Sequence, residues 1–255
     1  VNDLIIEAIN CSQLNRSNIS FGAIRTIAGR NYEIQQTLGY GRSIIETCQQ
    51  LDQYLYSYGP MTKAQWDAFL PNVSLPNGNL NLIDYGCGQG LGSVILFDYF
   101  GPSLTERIKQ VRLIEPSAVA LLRAKEVIDC YLHAHQAVTL NKRLDEIAAE
   151  DLNANGLLPQ VHILSNVLDI DGFDHGQLFS KILQSVGRHA VLAVSHDRDF
   201  HGGSNRFEQL DNAIKDPKHS KQFKIQSSSI CRFTCGTNKP AISWELHIEV
   251  LNEFI

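Results

Sequence analysis

Four acid and glycine positions at fixed spacing stand out in this chain: Asp84, Gly86, Gly88 and Gly90, within Leu82-Ile83-Asp84-Tyr85-Gly86-Cys87-Gly88-Gln89-Gly90-Leu91-Gly92. A short apolar run ending in an acid precedes the glycines, and a helix-forming run from Ser93 to Phe100 follows them. Residues without a Cβ let a ligand lie against bare backbone. The spacing narrows the choice of ligand. A dinucleotide pyrophosphate loop requires Gly-x-Gly-x-x-Gly. Counted from Gly86 its last position is Leu91, and counted from Gly88 it is Ser93. A nicotinamide-dependent oxidoreductase is therefore disfavoured.

A second acid, Glu115, ends the apolar run Val111-Arg112-Leu113-Ile114 and is followed by Pro116-Ser117. In doubly wound sheets ligands lie outside the carboxyl ends of the strands, where the strand order reverses. An acid at that point can accept charge-assisted hydrogen bonds from both hydroxyls of a ribose. It can also simply favour the helix N-terminus that follows, through the helix dipole. Pro116 suits the first turn of such a helix, and Ser117 can cap it.

The string Asp84-x-Gly86-x-Gly88-x-Gly90, with Glu115 downstream of it, resembles motif I and the ribose-binding acid of the class I S-adenosylmethionine-dependent methyltransferases. The resemblance covers about residues 80–255. It implies S-adenosyl-L-methionine as the cofactor and methyl transfer to an RNA, protein or metabolite acceptor as the activity. It gives Asp84 the ammonium end of the cofactor, directly or through water, although Asp84 can equally tie down loop N–H groups. Glu115, with Pro116 beside it, takes the ribose. The turn Leu140-Asn141-Lys142-Arg143-Leu144-Asp145 passes the adenine, with Leu144 as an apolar wall. Asp145 either accepts from the exocyclic amine or caps the next helix. Ser165 and Asn166 face the transferable methyl and the acceptor. The Asp/Asn-Pro-Pro-Tyr signature of amino-group methyltransferases is absent there, so the acceptor is left open. Arg42 is placed at the cofactor carboxylate, because in many relatives an N-terminal helical segment folds over the cofactor. A chain of this fold that binds the cofactor without turnover, as a platform in a larger assembly, is the alternative function.

After the fifth apolar run comes Ser195-His196-Asp197-Arg198-Asp199-Phe200-His201-Gly202-Gly203. An unperturbed imidazole titrates near neutrality, so His196 or His201 can take a proton from an acceptor. A solvated polar loop accounts for the same composition. Cys87, inside the glycine loop, reads as a small filler.

These residues need elements to position them. Residues 1–79 read as a helical N-terminal cap. Leu4, Ile5 and Ala8 mark a short helix, and Ile44, Cys48, Leu51 and Leu55 mark a longer one from Arg42 to Tyr58. Gly59-Pro60 is expected to stop it, with Thr62 capping a further helix from Lys63 to Leu70. Residues 80–255 read as a Rossmann-like domain. Strands are expected at Leu82–Tyr85, Val111–Ile114, Ala137–Leu140, Val161–Ser165 and Ala190–Ser195. Helices are expected between them at Gly90–Phe100, Ser117–His133, Leu144–Glu150 and Gln177–Val186, then at Asn205–Lys215. Phe223–Thr234 and Ile242–Leu251 close the chain as extended runs. In the second, Trp244, Leu246, Ile248 and Val250 alternate with Glu245, His247 and Glu249. The expected fold is α/β: a doubly wound, seven-stranded, mainly parallel sheet with a C-terminal antiparallel hairpin.

Composition sets outer bounds. The 255 residues, 44% hydrophobic and 19% charged, suit one large globular core. A net charge of −5 gives no broadly basic nucleic-acid surface. No apolar run reaches the ~18–20 residues of a membrane span. Six scattered cysteines point to free thiols in a reducing compartment, hence a cytoplasmic location. Cys130, His133 and His135, and the pair Cys231 and Cys235, lack the paired spacing of structural zinc, so no metal is expected.

Overall fold

The computed structural model describes residues 2–41, 43–133, 136–152, 158–170, 172–197, 206–219, 222–236 and 238–251. Seven strands form one sheet: β1 (Leu80–Tyr85), β2 (Ile108–Ile114), β3 (Ala137–Leu140), β4 (Gln160–Ser165), β5 (Gly187–His196), β6 (Phe223–Cys235) and β7 (Lys239–Val250). Their order is β3-β2-β1-β4-β5-β7-β6. The first five strands run parallel, and β7 enters antiparallel between β5 and β6. This is the doubly wound sheet with a terminal hairpin expected from the sequence. The order reverses on either side of β1, where Asp84 pairs with Leu113 of β2 and with Ile163 of β4. A crevice at that reversal, above the carboxyl ends, is where such sheets take ligands.

The central strands β1, β4 and β5 are buried on both faces because helices cover both, whereas the edge strands β3 and β6 are partly exposed. On one face Leu82, Val111, Val161 and Ala190 pack with α5 (Leu91–Phe100) and α7 (Ala118–Tyr131), between which the short α6 (Pro102–Thr105) leads into β2. On the other Ile83, Ile114, Leu164 and Val191 pack with α8 (His175–Ile182) and α9 (Arg206–Ile214). The alternation in β7 does its expected work: Trp244, Leu246, Ile248 and Val250 all enter this second core. The N-terminal helices α1 (Leu4–Asn10) and α2 (Phe21–Ile27) join the first core through Ile5, Ala8, Phe21 and Ile24. The backbone N–H of Phe21 reaches across to Asp98 at the end of α5, 2.8 Å away.

Three expectations about local structure need correction. The helix expected from Arg42 begins only at Cys48: α3 spans Cys48–Ser57, capped by Thr47 in a reciprocal capping box with Gln50. Before it, Tyr32–Gly41 is a 3-10 helix. α3 does stop before Gly59-Pro60, as expected, but the next helix, α4 (Gly59–Phe69), begins at that pair and not at Lys63. Thr62 therefore lies inside α4, donating its hydroxyl to the carbonyl of Tyr58, and does not cap it. Proline costs nothing in a first turn, whose N–H groups have no intrahelical acceptor. The helix expected over Leu144–Glu150 is replaced by two 3-10 turns, Leu144–Glu146 and Glu150–Leu152. Side chains explain this: Glu146 takes the N–H of Arg143, and Asp151 takes the N–H of Ala148. Such local side-chain bonds compete with helical ones.

Candidate functional site

The glycine loop descends from β1 and turns into α5. Gly86, Gly88 and Gly90 all have positive φ, at 58°, 54° and 83°. Space distinguishes them. A Cβ on Gly86 would meet Val167 at 3.1 Å, and one on Gly90 would meet Ala124 at 3.4 Å. A Cβ on Gly88 would meet nothing within 4 Å. Gly88 therefore faces an open cavity, while Gly90 packs the loop onto α7.

That cavity, about 210 Å³, lies above the carboxyl ends of β1, β2 and β4. Gly86 and Gly88 form its floor, and Glu115 and Pro116 one wall. Leu144 and Asp145 stand at one end, Ser165 and Asn166 at the other. Sequence reasoning did not place Ser43, Ile44, Ile45 or Tyr54 in the wall, yet the N-terminal segment contributes all four. Ile44 is 48% exposed at the mouth. No local spacing marks the four residues: along the chain Ile44 reads with Cys48, Leu51 and Leu55 as one helical stripe. The enclosed volume is below the ~300–1,000 Å³ of pockets that swallow a whole ligand, and the exposed mouth leaves room for the remainder. A larger groove of about 650 Å³ opens between α8 and α9, lined by Phe179, Leu183, Leu210 and Phe223. It reaches Val250, which pairs with Gly187 at the start of β5, so it sits at the amino end of the parallel strands, opposite the glycine loop.

Glu115 is 9% exposed, and the backbone holds its carboxylate at both oxygens. Oε2 accepts the N–H of Gly88 at 3.0 Å, and Oε1 accepts the N–H of Ser117 at 2.9 Å. A carboxylate has about four acceptor positions, so each oxygen keeps capacity for a ligand hydroxyl. Burial raises its pKa, and the two N–H groups oppose that rise. Ser117 caps α7 and donates its hydroxyl to the carbonyl of Ile45, fastening the cavity wall from behind. Tyr54 faces the same space, its phenol pushed up to about 12 chiefly by burial and further by Glu115 and Asp169.

Asp84 lies behind the loop and does not line the cavity. It is fully buried; Oδ2 accepts from the hydroxyl of Ser93 at 2.6 Å, and Oδ1 has no hydrogen-bond partner among the described residues. Burial pushes its carboxyl up to about 7, against the two hydrogen bonds from Ser93.

At the other end Asn166 has φ 55°, a left-handed conformation that asparagine tolerates better than most residues. Its Nδ2 donates to Gln65 of α4 at 2.9 Å, and its Oδ1 is buried without a partner among the described residues. Ser165 accepts from the indole N–H of Trp66 at 2.9 Å. His196 ends β5, exposed, and does not line the cavity; partial desolvation by its neighbours lowers its pKa, with Asp169 acting to raise it. His201 and Arg42 lie outside the described residues. Among the described residues no group of three His, Cys, Asp or Glu side chains is placed to hold a metal ion, and no helix is long and apolar enough to cross a membrane.

No protein-family model matches the chain, and no curated protein matches it in sequence. Solved structures do resemble it in backbone arrangement. A SAM-dependent methyltransferase from Aquifex aeolicus has a TM-score of 0.49 at 12% identity, covering 78% of this chain and 96% of that one. The plantazolicin methyltransferase BpumL, in complex with SAH, has a TM-score of 0.48 at 11% identity, covering 95% and 98%. M. jannaschii TYW2, in complex with AdoMet, has a TM-score of 0.46 at 14% identity, covering 76% and 78%. These are similarities of fold.

Proposed function

We propose that this chain binds S-adenosyl-L-methionine above β1, β2 and β4 and is a methyltransferase. One observation carries the reading. Glu115, at the topological switch, stands in the cavity wall with its carboxylate fixed by Gly88 and Ser117, beside a loop glycine whose missing Cβ leaves ligand space. These residues fit a nucleoside: a two-oxygen acceptor for a ribose diol, an apolar wall at Leu144 for the base, and an acceptor at Asp145 for its amine. The unpartnered Oδ1 of Asp84, behind the loop, suits the ammonium of the methionine moiety through water.

When bound, this cofactor supplies an electrophilic methyl group together with its own thioether leaving group. The protein is left with alignment and the exclusion of water, which need neither a nucleophile nor a metal. Asn166 orients the acceptor through its unpartnered Oδ1, while Gln65 holds the amide in place. His196 and His201 are the candidates for receiving the acceptor's proton. The position of His196 outside the cavity lining favours a second reading, a cofactor-binding module without turnover.

Calorimetry with S-adenosylhomocysteine tests the binding site, with micromolar affinity expected. A labelled-methyl screen over RNA, protein and metabolite pools then separates the two readings. Label transfer to one pool supports the enzyme; tight binding with no transfer supports the module. No binding of either cofactor form overturns both.

A further inference from the structure

The glycine loop has a feature that the cofactor motif itself does not explain. Gln89 stands between Gly88 and Gly90, both with positive φ, and is only 4% exposed. Its amide is engaged at both ends. Nε2 donates to the carbonyl of Leu51 in α3 at 2.9 Å, and Oε1 accepts from Nη1 of Arg123 in α7 at 3.1 Å. Arg123 is itself fully buried. Its Nε meets Asp3 at 2.7 Å, its Nη1 meets Asp52 at 2.8 Å, and its Nη2 donates to the carbonyl of Cys48 at 3.4 Å. Asp3 in turn caps α1, and Asp52 accepts the N–H of Gly29. One guanidinium thus joins α1, α3 and the glycine loop.

The physical consequence concerns the peptide between Gly88 and Gly90. Glycines lose more backbone freedom on ordering than any other residue, and a loop ordered only when its ligand arrives charges that cost to binding. Gln89 is the one side chain between the two glycines, and its two hydrogen bonds hold the loop from inside the protein. The N–H of Gly88 is thereby aimed at Glu115. We propose that Gln89, clamped by Arg123 and Leu51, is a positioning residue for the cofactor site, acting through the Gly88–Glu115 contact. The inference rests on the cofactor reading above and goes beyond it, because it assigns affinity to a residue that borders the cavity but whose amide is engaged at both ends by Leu51 and Arg123.

Arg123 is not the diagnostic variant, since its loss leaves Asp3 and Asp52 buried without their cation and threatens folding. Gln89→Met keeps the length and volume of the side chain and removes only its hydrogen bonds. The full chain is titrated with S-adenosylhomocysteine by calorimetry as wild type, Q89M, E115A and the double variant, with the melting temperature of each recorded without ligand. Q89M is expected to weaken binding about tenfold, to leave the ligand-free melting temperature within a few degrees of wild type, and to add no further loss in the E115A background. Hydrogen exchange at residues 86–91 should quicken in ligand-free Q89M and return to the wild-type rate in the complex. Unchanged affinity in Q89M, or a loss fully additive with that of E115A, overturns the inference. Wild type that binds no ligand overturns the cofactor reading instead.

Discussion

The carboxylate of Glu115 accepts the backbone N–H of Gly88 at 3.0 Å, joining the end of β2 to the loop that leaves β1. Two adjacent parallel strands are thereby tied together above the point where the sheet order reverses. The same carboxylate reaches Ser117, whose hydroxyl holds Ile45, so the floor, wall and N-terminal rim of the cavity share one anchor.

Glu115→Ala should weaken S-adenosylhomocysteine binding by about 10–100-fold, since hydrogen bonds to a charged group are worth about 1.5–3 kcal/mol and each 1.4 kcal/mol is about tenfold. Calorimetry reads the change directly. Retained affinity would remove the ribose assignment.

Gly88 and Gly101 separate backbone strain from ligand space. Both have positive φ, at 54° and 57°, and at neither would a Cβ meet an atom within 4 Å. Gly101, with ψ −144°, lies in a region that glycine alone favours. Gly88→Ala and Gly101→Ala should each lower stability through the positive-φ backbone, by about 1–3 kcal/mol. Only Gly88→Ala should impair cofactor binding, because only its Cβ enters the cavity. Urea unfolding and calorimetry on the two variants provide the comparison, and equal binding losses would refute it.

Asp84 couples stability to pH in the direction opposite to that of an ordinary paired carboxylate. Its carboxyl titrates near 7 in the folded protein against an ordinary 3.8, so between these values the folded state binds the extra proton. The contribution is fully present below about pH 4 and is lost as pH rises to 7, amounting to about 4 kcal/mol at most. Asp84→Asn should therefore become more stable relative to wild type on going from pH 4.5 to 7.5. Denaturant midpoints at the two pH values measure the difference, and a constant gap would show that the buried carboxyl is not protonated.

His162 and His189 predict the reverse slope. Tyr85 Oη lies 2.9 Å from Nδ1 of His162, Nε2 of His162 lies 2.9 Å from Nδ1 of His189, and Nε2 of His189 lies 2.7 Å from the carbonyl of Ser185. The carbonyl can only accept, so donation runs from Tyr85 toward Ser185 with both rings neutral. Burial lowers both pKa values, that of His189 to about 4. Between about 6.5 and 4 the unfolded chain holds the proton that the folded His189 refuses, so stability falls as pH falls through that window, by about 3 kcal/mol. His189→Gln should flatten this part of the curve in denaturant titrations. A slope unchanged by the substitution would assign the acid sensitivity to other groups.

Much of the scaffold was legible along the chain because strand and helix patterns are local. β3 has the bounds read from sequence, and the alternation from Trp244 to Val250 announced β7. Asp84, the loop glycines and Glu115 were legible because a close backbone approach and an acid at a strand end leave marks at fixed spacing. The tight turns after Arg143 were not legible, since the apolar spacing of Leu144 and Ile147 suits a helix and only the carboxylates of Glu146 and Asp151 decide otherwise.

The order of elements, the glycine turn and the acid opposite it are thus written along the chain, each set by neighbours a few residues apart. Packing alone brings Ser43–Ile45 and Tyr54 to the cavity wall, puts Asp84 behind the loop, and gathers Asp3, Asp52 and Gln89 around Arg123. Sequence distance separates the two sets. A buried guanidinium must find its carboxylates and carbonyls wherever the packed helices bring them, and no local spacing records partners that lie 34 to 120 residues away.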